Sequence, residues 1–127
     1  MKLSMKRRAL AALVLSSLAG AAFAQTFPSK AIRIVVPNGA GGGADLTART
    51  VGQKISETLG QAVIVDNKPG AGGVIAGEIV AKAAPDGYTL LLISSGTAVS
   101  ASLFTSLPFD TVRDFLPVPP LAPFDLV

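Results

Sequence analysis

The chain alternates three times between a short apolar run, a turn-forming stretch and a longer segment of mixed polarity. Ile32-Arg33-Ile34-Val35-Val36 is β-branched and almost wholly apolar, which predicts a strand buried on both faces. Pro37 ends it, having no N–H to donate to a ladder. After a glycine-rich stretch, the pattern predicts a helix over 46–59. Leu46, Val51, Ile55 and Leu59 fall on one apolar stripe, with Arg49, Gln53, Lys54 and Glu57 off it, and Gly60 closes it. Ala62-Val63-Ile64-Val65 predicts a second strand, ending at Asp66-Asn67. Lys68-Pro69-Gly70-Ala71-Gly72-Gly73 leads into a helix over 74–84 with Ile75, Ile79 and Ala83 facing inward. The turn Pro85-Asp86-Gly87 precedes a third strand, Tyr88-Thr89-Leu90-Leu91-Leu92-Ile93. Ser94-Ser95-Gly96-Thr97 then connects to a short helix over 98–107. Further on, Leu107-Pro108-Phe109-Asp110 and Arg113-Asp114-Phe115 predict a structured loop with aromatic anchors. Residues 116–127 hold four prolines and stop on Asp125-Leu126-Val127, which reads as a chain cut short.

Three β–loop–α units in succession predict an α/β fold with a parallel sheet. Ligands of such sheets bind beyond the carboxyl ends of the strands, so the three connecting loops should gather on one edge. The first loop, with Asn38, Gly39, Ala40, Gly41, Gly42 and Gly43, strips side chains from the backbone where it enters a helix. Bare amides there suit an anion.

Composition narrows the class. Lys2, Lys6, Arg7 and Arg8 head an apolar run over 9–22, and Ala22-Phe23-Ala24 is a small-x-small cleavage pattern. Residues 1–24 therefore read as a signal peptide cut after Ala24, with twin-arginine export the alternative to ordinary secretion. Four of the eleven Lys and Arg residues lie in that segment, leaving seven against eight acids, a net of −1. The basic excess thus belongs to the export signal, and no nucleic-acid partner is implied. The chain has no Cys, His or Trp. A Ser-His-Asp triad, a thiolate site and the commonest zinc sites are excluded, and the composition suits a periplasmic binding protein without cofactor or catalysis.

Gly39-Ala40-Gly41-Gly42-Gly43-Ala44 also fits the dinucleotide pattern G-x-G-x-x-G/A, with Asp66 placed as a ribose acid, so a nicotinamide-type enzyme is the alternative. An exported chain argues against it. The glycines of the second loop serve either tight packing against the first loop or ligand contact. Ser94, Ser95, Gly96 and Thr97 are either carboxylate donors or a helix cap. Asp45 either caps its helix and holds the loop or binds an ammonium group. Arg33 is assigned to no site, and Tyr88 reads as a packed aromatic.

These residues in combination resemble the substrate-binding receptors of tripartite tricarboxylate transporters, the Bug family of extracytoplasmic solute receptors. The stretches that carry the resemblance are Phe27-Pro28-Ser29-Lys30, Ile32 through Pro37 and Gly41-Gly42-Gly43-Ala44-Asp45. Further along they are Val65-Asp66-Asn67-Lys68-Pro69-Gly70-Ala71-Gly72-Gly73, Ala81-Lys82-Ala83-Ala84-Pro85-Asp86-Gly87-Tyr88-Thr89-Leu90 and Leu107-Pro108-Phe109-Asp110 with Arg113-Asp114-Phe115. The resemblance implies one lobe of a type II, Venus-flytrap periplasmic binding protein, over residues 25–127, whose second lobe is missing. It implies that amides around Asn38, Gly39, Gly42 and Gly43 clasp a carboxylate, with the loop from Ser94 to Thr97 adding hydrogen bonds. The implied partners are a small organic carboxylate and a membrane permease, with the receptor itself a monomer. A truncated, non-binding remnant that exposes apolar surface and aggregates is the remaining alternative.

Overall fold

The computed structural model describes residues 27–104 and 106–118. The signal-peptide reading of residues 1–24 and the proline-rich end past 118 lie outside the described residues. β1 (Ile32–Val36), β2 (Val63–Asn67) and β3 (Thr89–Leu91) form one parallel sheet in the order β2-β1-β3. Ile34 sits opposite Val65 on one side and Leu90 on the other, so β1 is the central strand. Its apolar run is explained by this position, and Val35 and Val36 are completely buried. Alternation sends Ile34 and Val36 to a core with Ala48, flanked by Val63, Val65, Leu90 and Leu92. Val35 points to the opposite face.

α1 (Gly43–Leu59) packs on β1 and β2, and α2 (Val74–Ala81) packs on β1 and β3. α3 (Ser95–Leu103) follows β3. A single 3-10 turn, Ala71–Gly73, introduces α2. The α/β reading and its three parallel units hold; the helix faces do not. The stripe of Leu46, Val51, Ile55 and Leu59 is not the inward one. Asp45, Ala48 and Gly52 are buried instead, while Leu46 is 59% exposed. The cause is the closeness of approach: a Cβ added to Gly52 would lie 3.0 Å from Val63 Cγ1. Small residues occupy the helix–sheet seam, and Val51, Ile55 and Leu59 line a shallow apolar groove beside it.

The same holds for α2, where Ala76 and Gly77 are buried and Ile75 is largely exposed. Gly77 leaves room for the ring of Phe109, whose Cζ would be 2.5 Å from a Cβ there. Phe109 meets Phe115 edge-on at 5.5 Å, as the aromatic-anchor reading expects. Asp110 Oδ1 accepts the N–H groups of Val112 and Arg113, each at 2.9 Å. These amides hold its carboxyl below the usual range. α2 ends at Ala81 rather than 84, β3 is three residues rather than six, and β2 runs to Asn67.

Candidate functional site

With β1 between its two neighbours, the chain reverses its winding direction after β2. The carboxyl ends of β1 and β3 therefore flank the switch point at which open α/β sheets bind ligands. Asn38, Gly39, Ala40, Gly41 and Gly42 form the exposed loop that leaves β1, and Gly43 is the first residue of α1. Gly42 stands at the N-cap and has no side chain to cap with. Leu46 N–H reaches the Gly42 carbonyl at 3.0 Å, the first bond of the helix. The N–H groups of Gly43 and Ala44 precede that bond and meet no acceptor among the described residues. They sit at the positive end of a 17-residue helix.

Gly41 is different. Its N–H turns back to Asp45 Oδ2 at 2.8 Å, so it is spent inside the protein. Asp45, buried at the first turn, does not stand free in the site. Arg49 Nε lies 3.0 Å from its carboxylate, one helical turn on. The Arg49 hydrogen bond, then the Gly41 amide, lower the Asp45 carboxyl to about 2 against the opposing effect of burial. Of the two roles open to Asp45, holding the loop is the one its contacts serve.

Arg49 is absent from the residues expected of the site, although its spacing of four from Asp45 is a usable signal. It also donates through Nη2 to Asn67 Oδ1 at 3.2 Å, and Asn67 Nδ2 donates to the Asn38 carbonyl at 3.0 Å. The Lys68 N–H adds a bond to the Val36 carbonyl at 2.8 Å. The first and second loops are thereby joined by side chain and backbone alike.

Ser94 ends the segment after β3, and Ser95, Gly96 and Thr97 form the first turn of α3 rather than a free loop. The expected helix start at 98 is three residues late. The reason is that the Ser94 carbonyl already accepts from Thr97 and Ala98 N–H, at 3.0 and 3.2 Å. Ser94 Oγ and Thr97 Oγ1 are 3.4 Å apart. Ser95 and Gly96 are exposed, and Ser94 and Thr97 are half-buried. Between this turn and the first loop sits Gly73. A Cβ on it would lie 2.7 Å from Thr97 Oγ1 and 3.2 Å from Pro37 Cβ. All three strand-to-helix connections thus converge, with the second packed between the other two. That is the packing role open to its glycines. Asp66, which the dinucleotide alternative needs for a ribose, is occupied by Arg33 and Lys68. The Arg33 hydrogen bond is the main cause of its lowered carboxyl. No group of acidic residues among the described ones could hold a metal ion.

Sequence comparison supplies the family. The profile described as "Tripartite tricarboxylate transporter family receptor" matches residues 47–127. This chain belongs to that family. A UPF0065 protein of Bordetella bronchiseptica is 50% identical over 113 residues, 88% of this chain and 34% of that protein. The chain therefore spans about a third of the length of the curated relatives it matches. Among solved structures, MatC of Rhodopseudomonas palustris with bound malate is 41% identical with a TM-score of 0.67, over 72% of this chain and 32% of MatC. Rpa4515 of R. palustris with adipate is 40% identical with a TM-score of 0.50, over 51% of this chain and 22% of that one. The parallel α/β lobe is thus that of the family's periplasmic binding proteins, and the family's members are solute-binding receptors.

Proposed function

We propose that this receptor captures a small organic carboxylate in the periplasm and presents it to the membrane permease of a tripartite tricarboxylate-type transporter, without catalysis. The observation that carries this reading is the uncapped start of α1, where the Gly43 and Ala44 amides open onto the switch point between β1 and β3. Asn38, Gly39, Ala40, Gly42 and Gly43 line one side of the carboxylate, and the hydroxyls of Ser94, Ser95 and Thr97, with Gly96, line the other. Gly41 is left out of the donor set, because its N–H is committed to Asp45. Two structural relatives lend support through their ligands, malate in MatC and adipate in Rpa4515, which are both dicarboxylates. Residues 1–24 act as a signal peptide cleaved after Ala24, which delivers the receptor as a monomer to the compartment the reading requires.

The test is a titration of the 15N-labelled chain with malate, adipate and NAD in separate series. Saturable shifts of the Gly42, Gly43 and Ala44 amides with either dicarboxylate, and none with NAD, are expected. Shifts with NAD alone would reverse the reading in favour of a nucleotide-binding domain.

A further inference from the structure

We propose that Arg49 is a positioning residue for the carboxylate site, cancelling the charge of Asp45 and tying the first loop to the second through Asn67. This role rests on the carboxylate reading above. A buried carboxylate in the same first turn as the open amides of Gly43 and Ala44 opposes an incoming anion, yet Asp45 stands there and is 3% exposed. Asp45 is kept because it anchors Gly41 N–H at 2.8 Å and so sets the curve of the loop.

Arg49 resolves that conflict. Its Nε is 3.0 Å from the Asp45 carboxylate, which leaves the site without net charge from this pair. The planar guanidinium carries further donors, and Nη2 reaches Asn67 Oδ1 at 3.2 Å. Asn67 holds the other end of the same loop through the Asn38 carbonyl at 3.0 Å. One side chain therefore grips both ends of the glycine loop without belonging to it. Lysine carries the charge but lacks the fork, so it would satisfy only half of the arrangement.

The experiment compares the full 127-residue chain with R49M, R49K, N67A and D45N/R49M, by 15N spectra alone and then with malate. Without ligand, R49M and N67A should each shift the amides of residues 39–43 while leaving those of α2 in place. With malate, R49M should bind about tenfold more weakly, because an uncompensated carboxylate then faces the anion. D45N/R49M should recover most of that loss, which a merely structural role for Arg49 would not allow. R49K should fall between the wild type and R49M. Unshifted loop amides in folded R49M, or a double variant no better than R49M, would overturn the proposal. Should the wild type show no malate response, the carboxylate reading fails, and the ligand-free loop shifts still decide whether Arg49 holds the loop. Should R49M not fold, unshifted loop amides in N67A, or a D45N/R49M variant that binds malate about tenfold more weakly than the wild type, would overturn the proposal.

Discussion

Gly73 approaches Thr97 so closely that any side chain on it would collide: a Cβ there would stand 2.7 Å from Thr97 Oγ1. The same atom would lie 3.2 Å from Pro37 Cβ, and the Gly73 backbone has φ +99°, a region that L side chains rarely adopt. The second loop is thus wedged between the ends of β1 and β3 at a position where no side chain fits. Gly73→Ala should destabilise the fold by about 2 kcal/mol, from backbone strain and overpacking together. Urea unfolding followed by circular dichroism measures it. A loss below about 0.5 kcal/mol, the range of an ordinary surface change, would mean that the three loops do not meet there.

The seam between α1 and the sheet yields a second expectation, contrary to the periodicity of the sequence. Ala48 is 1% exposed and Leu46 is 59% exposed. Ala48→Leu should cost roughly 1–3 kcal/mol by forcing the helix off Ile34 and Val36. Leu46→Ser should change stability by no more than about 0.5 kcal/mol in the same unfolding assay. The opposite ranking would restore Leu46 to the core.

What the sequence made legible, and what it hid, divides along physical lines. β1 was readable because a strand covered on both faces must be apolar at every position, and Ile32 to Val36 nearly is. The three loops were readable because proline and glycine act locally on their own backbone. The inward face of α1 was not, because periodicity marks where large apolar residues recur, whereas close packing on the sheet selected Gly52 against Val63 and Ala48 against Ile34 and Val36. The start of α3 was hidden by the serine-rich composition of its first turn, which reads as loop until the Ser94 carbonyl is seen accepting from Thr97 and Ala98. In the candidate site, Asp45 and Arg49 announce themselves by helical spacing. Nothing local announces Asn67, 18 residues further on, which reaches Arg49 only through the pairing of β2 with β1.

Acid should weaken the fold with a definite sign. The Asp45 carboxyl titrates at about 2 in the folded chain, below its ordinary value of about 3.9 in an unfolded one. Between those values the unfolded state binds the extra proton. The Asp45 contribution is therefore complete above pH of about 4 and is lost as pH falls toward 2. Asp66, Asp86 and Asp110 are shifted in the same direction, by Arg33, by Lys30 and by backbone amides, and add to the slope. Asp45→Asn keeps an acceptor for Gly41 N–H and removes the titration. Its Tm should decline less steeply than that of the wild type as pH falls from about 5 toward 2, read by thermal melts across that range. Equal slopes would show that Asp45 does not ionise differently on folding.

The lead-in before β1 is held by Tyr88. Its hydroxyl accepts Ser29 N–H at 2.7 Å, its ring stacks at a tilt on Phe27 with centroids 4.9 Å apart, and Lys30 Nζ sits 4.5 Å over the ring centroid. Lys30 also pairs with Asp86 at 2.8 Å, so the turn before β3 grips the segment by charge as well. Tyr88→Phe keeps the stack and loses the hydroxyl, which should cost about 1 kcal/mol. Tyr88→Ala loses both and should cost roughly 1 kcal/mol more, the worth of an aromatic pair. Amide hydrogen exchange is the sharper measurement. Ser29 N–H should exchange faster in both variants, and faster in Tyr88→Ala than in Tyr88→Phe. Unchanged exchange at Ser29 in Tyr88→Phe would show that β1 alone, and not the ring and hydroxyl of Tyr88, fixes the path of the lead-in.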